Sequence, residues 1–419
     1  MITPEPMPTS PSATSSSSAT SSPSPTSSPS PTSSPSPASS PSTTATIDPS
    51  AAVTTTSTTA ATTSANEKSA TAEVVVIGGG AAGLAASIVL ARSLRSVIVV
   101  DAGSPRNAAS AHAHNVLGNE GINPRDLIAD GRREAERYGV GFIDSTVESA
   151  GRLDEGDDSD FLIETAAGHR VSARRVIIAT GLTDELPDIP GLVEGWGSTV
   201  LHCPYCHGYE VRGQNIGIIG TTAMSYHQAM MFSQLSDRVT FLRHNAPEPD
   251  ETQRRMLVSL DIAYVDAAVE AVERTGAGTV VTLRDNEART TLRDNQAGIT
   301  LRDNEAGTVL RNNEHGTTPH SNRAGTDSAP SNLTFDALAV GPYFRANGEV
   351  FEQLGGTVVA HPTGMGTSIP AEANGATAVP GVWAVGNSAD ISAMVVASAA
   401  SGVMVGAQVN AELIMSSVS

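Results

Sequence analysis

The 419-residue chain contains only two cysteines, Cys203 and Cys206. Two thiols exclude a disulfide framework and a four-thiolate zinc site. Basic residues are also scarce: 25 Lys and Arg stand against 44 Asp and Glu, giving a formal charge of -19. Such a chain repels phosphate backbones and anionic lipid, so neither nucleic acid nor a membrane is expected as a partner. Long apolar runs are missing too. The one uncharged stretch that invites the comparison, 392–411, is rich in Ala, Ser and Gly and carries Gln408 and Asn410 near its end. A membrane span needs larger apolar residues. The stretch reads instead as a buried helix, with Gly402 and Gly406 of "GVMVG" marking a close approach.

From Met1 to about Ala70 the chain is almost wholly Ser, Thr, Pro and Ala, with near-repeats such as "SSPSPT". That composition has too little apolar surface to offset the entropy of ordering, so residues 1–72 are expected to form a disordered tail. No apolar core follows a basic start, so a secretory signal is not expected and a cytoplasmic location is. A mucin-like stalk has the same composition but needs an export signal.

Folding is expected from Glu73. "AEVVVIGGGAAGLAASIVLARSLRSVIVVDAG" reads as a strand, a Gly-rich turn, a helix from Gly83 to about Ser93, and a second buried strand. That order within about thirty residues is a dinucleotide-binding unit. Gly78, Gly80 and Gly83 fit G-x-G-x-x-G: the first for the tight turn, the second for approach of a pyrophosphate, the third for helix–strand packing. Asp101 ends the next strand, where a carboxylate accepts ribose hydroxyls, which favours FAD or NAD over NADP. A second unit begins at "QNIGIIGTTAMSYHQ". Gly220 keeps the first position, but Thr222 and Ser225 stand where glycines belong, and a side chain at 222 crowds a pyrophosphate. Arg243 after the following strand is a candidate partner for a 2′-phosphate, so NADPH binding stays open.

The two cysteines sit in "HCPYCHGYE", His202 to Glu210. Zinc ligation, haem attachment, a structural staple and a reversible redox disulfide compete. Adjacent His and Cys rarely converge on one tetrahedral metal, haem attachment belongs outside the cytoplasm, and so short a loop gains little from a staple. A Cys-x-x-Cys opening a helix has a depressed thiol pKa, and beside an electron-carrier domain it completes a circuit. No metal is expected. His207 is placed to take or give the thiol proton, Glu210 to orient that imidazole, and His202 is a second candidate. Between Thr282 and Thr317 a nine-residue unit repeats ("TLRDNEART", "TLRDNQAGI", "TLRDNEAGT", "VLRNNEHGT"). It lacks the glycine pattern of calcium-binding arrays and reads as a duplicated hairpin in a surface loop.

With these motifs in this order, together with "ATG" at Ala179–Gly181 and "GVWAVGN" before the last helix, the chain resembles the low-molecular-weight thioredoxin reductase family. The resemblance implies an α/β fold of two Rossmann-like dinucleotide-binding domains, the second inserted into the first. By that reading 73–187 and 334–419 form a split FAD-binding domain. Residues 188–333 form an NAD(P)-type domain that carries the Cys-x-x-Cys, the 282–332 repeat insert and a mobile loop. It also implies FAD, a homodimer, and electron passage between flavin and Cys203–Cys206, with a thioredoxin-like protein or a small dithiol or disulfide as partner. Carried over by matching position, the flavin contacts are Gly78, Gly80, Gly83, Asp101, Asn115, Thr180, Gly181, Gly386 and Asn387. Cys206 becomes the flavin partner and Cys203 the exchange thiol. Three departures stand out: Asn387 and His207 replace the usual Asp at each position, and the NADPH glycines and paired arginines are missing. The last two, with "CPYCHGYE", are similar to the gliotoxin and holomycin dithiol oxidases, which run electrons from a small dithiol to oxygen. Reductase, dithiol oxidase and non-enzymatic flavin-bound redox sensor all remain readings at this point.

Overall fold

The computed structural model describes residues 68–153, 161–276, 278–284, 299–304, 307–312 and 332–418. The expected tail up to residue 67 and most of the repeat insert lie outside them.

The first sheet is built from β1 (Ser69–Ile77), β2 (Val97–Asp101), β3 (Gly141–Asp144), β4 (Val147–Arg152), β5 (Phe161–Thr165) and β6 (Arg170–Ile178). Its order is β3-β2-β1-β6-β5-β4, and β21 (Val382–Ala384) returns from near the end of the chain to pair with β6. The core strands β3, β2, β1, β6 and β21 are parallel. Their continuous apolar runs follow from burial on both faces: Val74, Val75 and Val76 are all fully buried, on alternating sides. β1 starts at Ser69, ahead of the expected Glu73, because Ser69–Ala72 extend the ladder against Arg170–Ala173.

Two helices lie together on one face, α1 (Ala81–Arg92) and α7 (Val395–Ser416). A Cβ at Gly402 would stand 2.1 Å from the Ala82 carbonyl oxygen, and one at Gly406 2.8 Å from that of Ala86. The two glycines of "GVMVG" therefore let α7 lie against the α1 backbone. Among the described residues no helix is long and apolar enough to cross a membrane. α2 (Pro124–Arg137) covers α1, its start fixed by Asn123, whose side chain accepts from the Arg125 amide.

β7 (Leu182–Glu185) leads out of this unit. The second sheet contains β8 (Val200–Leu201), β9 (Ile216–Ile219), β10 (Val239–Leu242), β11 (Ala263–Val265) and β17 (Ala337–Val340), in the order β11-β10-β9-β17-β8 and all parallel. α3 (Pro204–His207), α4 (Met224–Ser233) and α5 (Glu251–Ser259) accompany it. β12 (Ala268–Thr275), β13 (Gly278–Arg284) and β16 (Asn332–Phe335) make an antiparallel layer. Within the repeats, β14 (Ile299–Asn304) and β15 (Gly307–Asn312) pair as antiparallel strands. β18 (Tyr343–Ala346) then pairs antiparallel with β7, so the two crossings between units are bonded to each other. α6 (Glu349–Gln353) and the short pair β19 (Val359–Ala360) and β20 (Thr367–Ser368) precede β21.

The fold is thus α/β with two dinucleotide-binding-type units, the second inserted into the first. The return to the first unit does not fall at residue 334, as expected from sequence. Leu333, Phe335, Leu338 and Val340 pack in one core with Val200 and Ile219, and β17 is a central strand of the second sheet. The chain crosses back only after Val340. The alternation in "NLTFDALAV" conceals the change of sheet, because β16 and β17 are separated by Asp336 alone.

Candidate active site

At the first glycine turn, Gly78 has φ +107°, and a Cβ there would stand 2.3 Å from the Ala179 oxygen. A Cβ at Gly83 would stand 1.9 Å from the Gly78 oxygen. Both positions demand glycine for packing. Gly80 is different: a Cβ there meets nothing within 4 Å. It is the N-cap of α1, with no side chain capping the helix. This open approach to unpaired helix amides suits a pyrophosphate. Asp101 accepts from the Gly79 amide through Oδ1 at 2.8 Å, which ties the carboxylate to the turn. Gly79, which the sequence reading passed over, leaves no room for a side chain: a Cβ would stand 2.7 Å from Asp101 Cγ. These residues fit a bound dinucleotide.

The other expected flavin contacts divide. Thr180 and Gly181 flank the turn and are tied to Asn347: Thr180 Oγ1 donates to its oxygen at 2.6 Å, and its amide donates to the Gly181 oxygen at 3.1 Å. Gly386, at φ +62°, packs on Ala82 of α1. Asn387, carried over as a flavin contact, has its amide group engaged within the chain. Its Nδ2 donates to the Asp390 and Ala393 carbonyls, both at 2.9 Å, and its Oδ1 accepts from Arg106 at 3.1 Å. An aspartate would have no hydrogens for those carbonyls. Asn115, held at φ +59°, donates from Nδ2 to the Tyr205 oxygen at 2.8 Å, so it braces the cysteine turn.

That turn is α3, with Cys203 as its N-cap. Both thiols are free. Cys203 is pulled down to about 7, chiefly by a hydrogen bond from Cys206, with further help from the backbone amides of Cys206 and Tyr205. Cys206 moves the other way, raised by the same hydrogen bond and by burial. The lower pKa of the pair therefore lies on Cys203 and the higher on Cys206.

His207 faces Ser110 of the first unit, with Nε2 2.7 Å from Ser110 Oγ. Ser110 Oγ is also 2.7 Å from the His112 carbonyl, which can only accept. The hydroxyl hydrogen goes there, so His207 Nε2–H donates to Ser110 and Nδ1 is left as the basic nitrogen. Burial keeps His207 below its ordinary pKa, so it is neutral near pH 7. Glu210 makes no hydrogen bond to His207, although its charge favours the protonated imidazole against burial. Its Oε1 lies 3.5 Å from His114 Nε2, and His114 Nδ1 pairs with Glu120 at 2.7 Å. His202 donates from Nδ1 to the Val340 oxygen at 3.1 Å; it is also kept neutral by burial. Among the described residues no group of His, Cys, Asp or Glu is arranged to hold a metal ion.

Sequence reasoning missed Ser110 and also Arg106, whose guanidinium grips both oxygens of Asp184 at 2.7 and 2.8 Å. Neither carries a local motif. Both follow β2 in an irregular stretch, and their partners are distant in sequence.

The second glycine turn is closed from within. Ser225 Oγ accepts from the Thr221 and Thr222 amides at 3.0 and 3.3 Å. Arg243 is held by Asp266 at 2.5 Å. Beside the turn lies a cavity of about 40 Å³, lined by residues including His202, Thr222, Ser225, Gln228 and Phe344. Ligand sites usually need roughly 300–1,000 Å³.

A family model for pyridine nucleotide-disulphide oxidoreductases matches residues 72–402. The chain belongs to that family. Within the pyridine nucleotide-disulphide oxidoreductases it is similar to "Thioredoxin reductase tcpT" of Claviceps purpurea, 37% identical over 38% of this chain and 51% of that protein. The chain thus spans about half the length of this relative. Its structure is similar to that of HlmI, with TM-score 0.65 and 35% identity over 83% of this chain and 94% of the other. An oxidoreductase from Agrobacterium tumefaciens gives TM-score 0.65 and 29% identity over 82% and 99%.

Proposed function

We propose that the chain is an FAD-dependent thiol–disulfide oxidoreductase of the thioredoxin reductase type that runs in the oxidative direction, taking electrons from a small-molecule dithiol without NADPH. One observation carries the direction: the amides of Thr221 and Thr222, where a second dinucleotide's pyrophosphate would be cradled, are already bonded to Ser225. The pairing of Arg243 with Asp266 removes the nearest candidate for a 2′-phosphate in the same way. The likeness to the gliotoxin and holomycin oxidases around "CPYCHGYE" supports it further. The reading includes a cytoplasmic homodimer.

FAD would be held by the turn at Gly78, Gly80 and Gly83, with Asp101 toward its ribose, and when bound it supplies a two-electron acceptor whose electrons pass on to dioxygen. The chain's own residues handle the sulfur chemistry. His207 Nδ1 takes a proton from the first substrate thiol. The resulting thiolate attacks Cys203, and the Cys203–Cys206 bond breaks as a substrate–Cys203 bond forms. His207 passes that proton to Cys206 as its sulfur leaves and then takes the proton of the second substrate thiol, whose thiolate attacks the substrate sulfur bonded to Cys203 and releases Cys203. A thiolate stabilised at about 7 leaves readily. The substrate has lost two electrons and two protons, and the enzyme pair has gained the electrons.

The test is anaerobic mixing of purified protein with dithiothreitol, NADPH or NADH while flavin absorbance is followed. Bleaching by the dithiol alone supports the reading. Rapid bleaching by NADPH would instead establish a reductase, with a thioredoxin-like protein as the partner to seek. No bleaching by any of them leaves a redox sensor.

A further inference from the structure

We infer that His114 is a positioning residue for the cysteine turn: its imidazole, set between Glu120 of its own loop and Glu210, bridges the first unit to the segment that carries Cys203, Cys206 and His207, and closes that bridge only with a proton on each ring nitrogen. The inference rests on the thiol–disulfide reading for the cysteine turn being the working site, and is independent of the direction of electron flow.

The loop that carries His114 is tied together by its own bonds. Ala113 and Ile122 pair as an isolated antiparallel bridge and close the stretch between them, the Ala113 amide donating to the Ile122 oxygen at 2.7 Å and the Gly121 amide to the Ala113 oxygen at 3.0 Å. Inside it Glu120 holds two neighbours at once, His114 Nδ1 on Oε1 at 2.7 Å and the Asn115 amide on Oε2 at 2.9 Å. Three side chains from this stretch reach one short segment of the second unit. Ser110 Oγ meets His207 Nε2 at 2.7 Å, Asn115 Nδ2 donates to the Tyr205 oxygen at 2.8 Å, and His114 Nε2 lies 3.5 Å from Glu210 Oε1. The Asn115 bond joins neutral groups. The His114 contact is the one whose nature changes with a proton.

The hydrogen bond from His114 holds Glu120 below the ordinary carboxylate range, so Glu120 accepts and the hydrogen on Nδ1 belongs to the imidazole. Nε2 is then the end that faces Glu210, and it is buried without a hydrogen-bond partner. With one proton on the ring, a lone pair is turned toward a carboxylate and the contact holds nothing. With two, the ring is a cation between two carboxylates, one from each unit. Rising pH removes the second proton, so the bridge is present on the acid side and lost toward the alkaline side. The titratable groups set around the ring are Glu120, Glu210, His207 and His112, whose ring centroid is 6.2 Å away. His112 is turned back into the loop, with Nδ1 3.0 Å from the Gly121 oxygen. At His207, beyond the effect of burial, Glu210 favours the protonated form and His114 opposes it. The closed bridge thus also helps to leave His207 as the neutral base that thiol exchange needs.

Amide hydrogen exchange of the flavin-bound, full-length protein tests this, read by mass spectrometry in peptides spanning Cys203–Arg212. The amides of Cys206, His207 and Gly208 close α3 and report how firmly it is held. After correction for intrinsic rates, wild-type exchange there should rise roughly two- to fivefold between pH 5 and pH 8, the span over which histidine changes charge and the scale of a partly exposed ion pair. In His114→Asn the shorter amide still reaches Glu120 but falls short of Glu210, so exchange should be fast at both pH values. In Glu210→Gln the new amide donates to the Nε2 lone pair, so protection should hold at both. A histidine that only fills space would give neither the pH response nor its rescue. Wild-type exchange that does not change with pH, or a pH response that survives in His114→Asn, overturns the inference; should His114→Asn misfold, an unaltered pH response in Glu210→Gln does so. Exchange needs no turnover. The predicted pattern in a protein that oxidises no dithiol would sink the function proposed above and leave this inference standing, and dithiol oxidation without the pattern would do the reverse.

Discussion

His207 Nε2 and Ser110 Oγ meet at 2.7 Å across 97 residues of sequence, and this bond sets which nitrogen of the imidazole is basic. Removing the imidazole should slow dithiol oxidation by about 10²-fold or more in His207→Ala, the ordinary scale of general acid–base catalysis. Ser110→Ala keeps the ring but loosens its tautomer, and about a tenfold loss is expected. The pH profile gives the sign. His207 accepts protons only when neutral, and burial lowers its pKa from 6.5. The wild-type rate should therefore fall on the acid side below that value, and this limb should vanish in His207→Ala.

The glycines of the first turn should separate stability from cofactor binding. Gly83→Ala drives a methyl into the Gly78 carbonyl at 1.9 Å. A cost of about 1–3 kcal/mol is expected, visible as a lower Tm even without flavin. Gly80→Ala meets only open space. Its cofactor-free protein should melt like the wild type, while the flavin content of the purified protein falls. Equal loss of Tm in both variants would contradict the assignment of Gly80 to the pyrophosphate.

These glycines show which parts were legible in sequence. A close backbone approach can be met only by glycine, so Gly78, Gly83, Gly402 and Gly406 announce themselves by residue type and spacing. The buried parallel strands do likewise, through unbroken runs such as Val74–Ile77. The bonds that orient the site have no such signature. Arg106 reaches Asp184 across 78 residues and Asn387 across 281. Their approach depends on how β7 and the late turn come back over the first sheet. Glu210 is expected at His207 because the two are close in sequence, whereas the fold also sets its carboxylate 3.5 Å from His114 Nε2.

Ser225→Ala should reveal what the serine hydroxyl does for the second unit. It removes the acceptor of the half-buried Thr221 amide and of the exposed Thr222 amide, so a loss of about 1 kcal/mol is expected. Thr222 still crowds the turn and Asp266 still holds Arg243, so no NADPH consumption should appear. NADPH-dependent flavin bleaching in this variant would mean that the serine alone blocks the nucleotide.

The two cysteines are expected to be unequal when tested singly. The hydrogen bond from Cys206 is the largest influence holding Cys203 near 7. In Cys206→Ala the remaining thiol should titrate higher, although the α3 amides stay in place. Iodoacetamide alkylation across pH measures it. An unchanged midpoint would assign the stabilisation to the helix amides alone.

Electrons entering from a dithiol through Cys203 and Cys206 should leave to oxygen. Oxygen uptake by the flavin-loaded protein tests it most directly, with dithiothreitol or NADPH as the sole donor. One oxygen should be consumed per dithiol oxidised, NADPH should support none, and Cys203→Ser and Cys206→Ser should each abolish uptake. Uptake driven by NADPH, or dithiol-driven uptake that survives loss of either cysteine, would contradict the account.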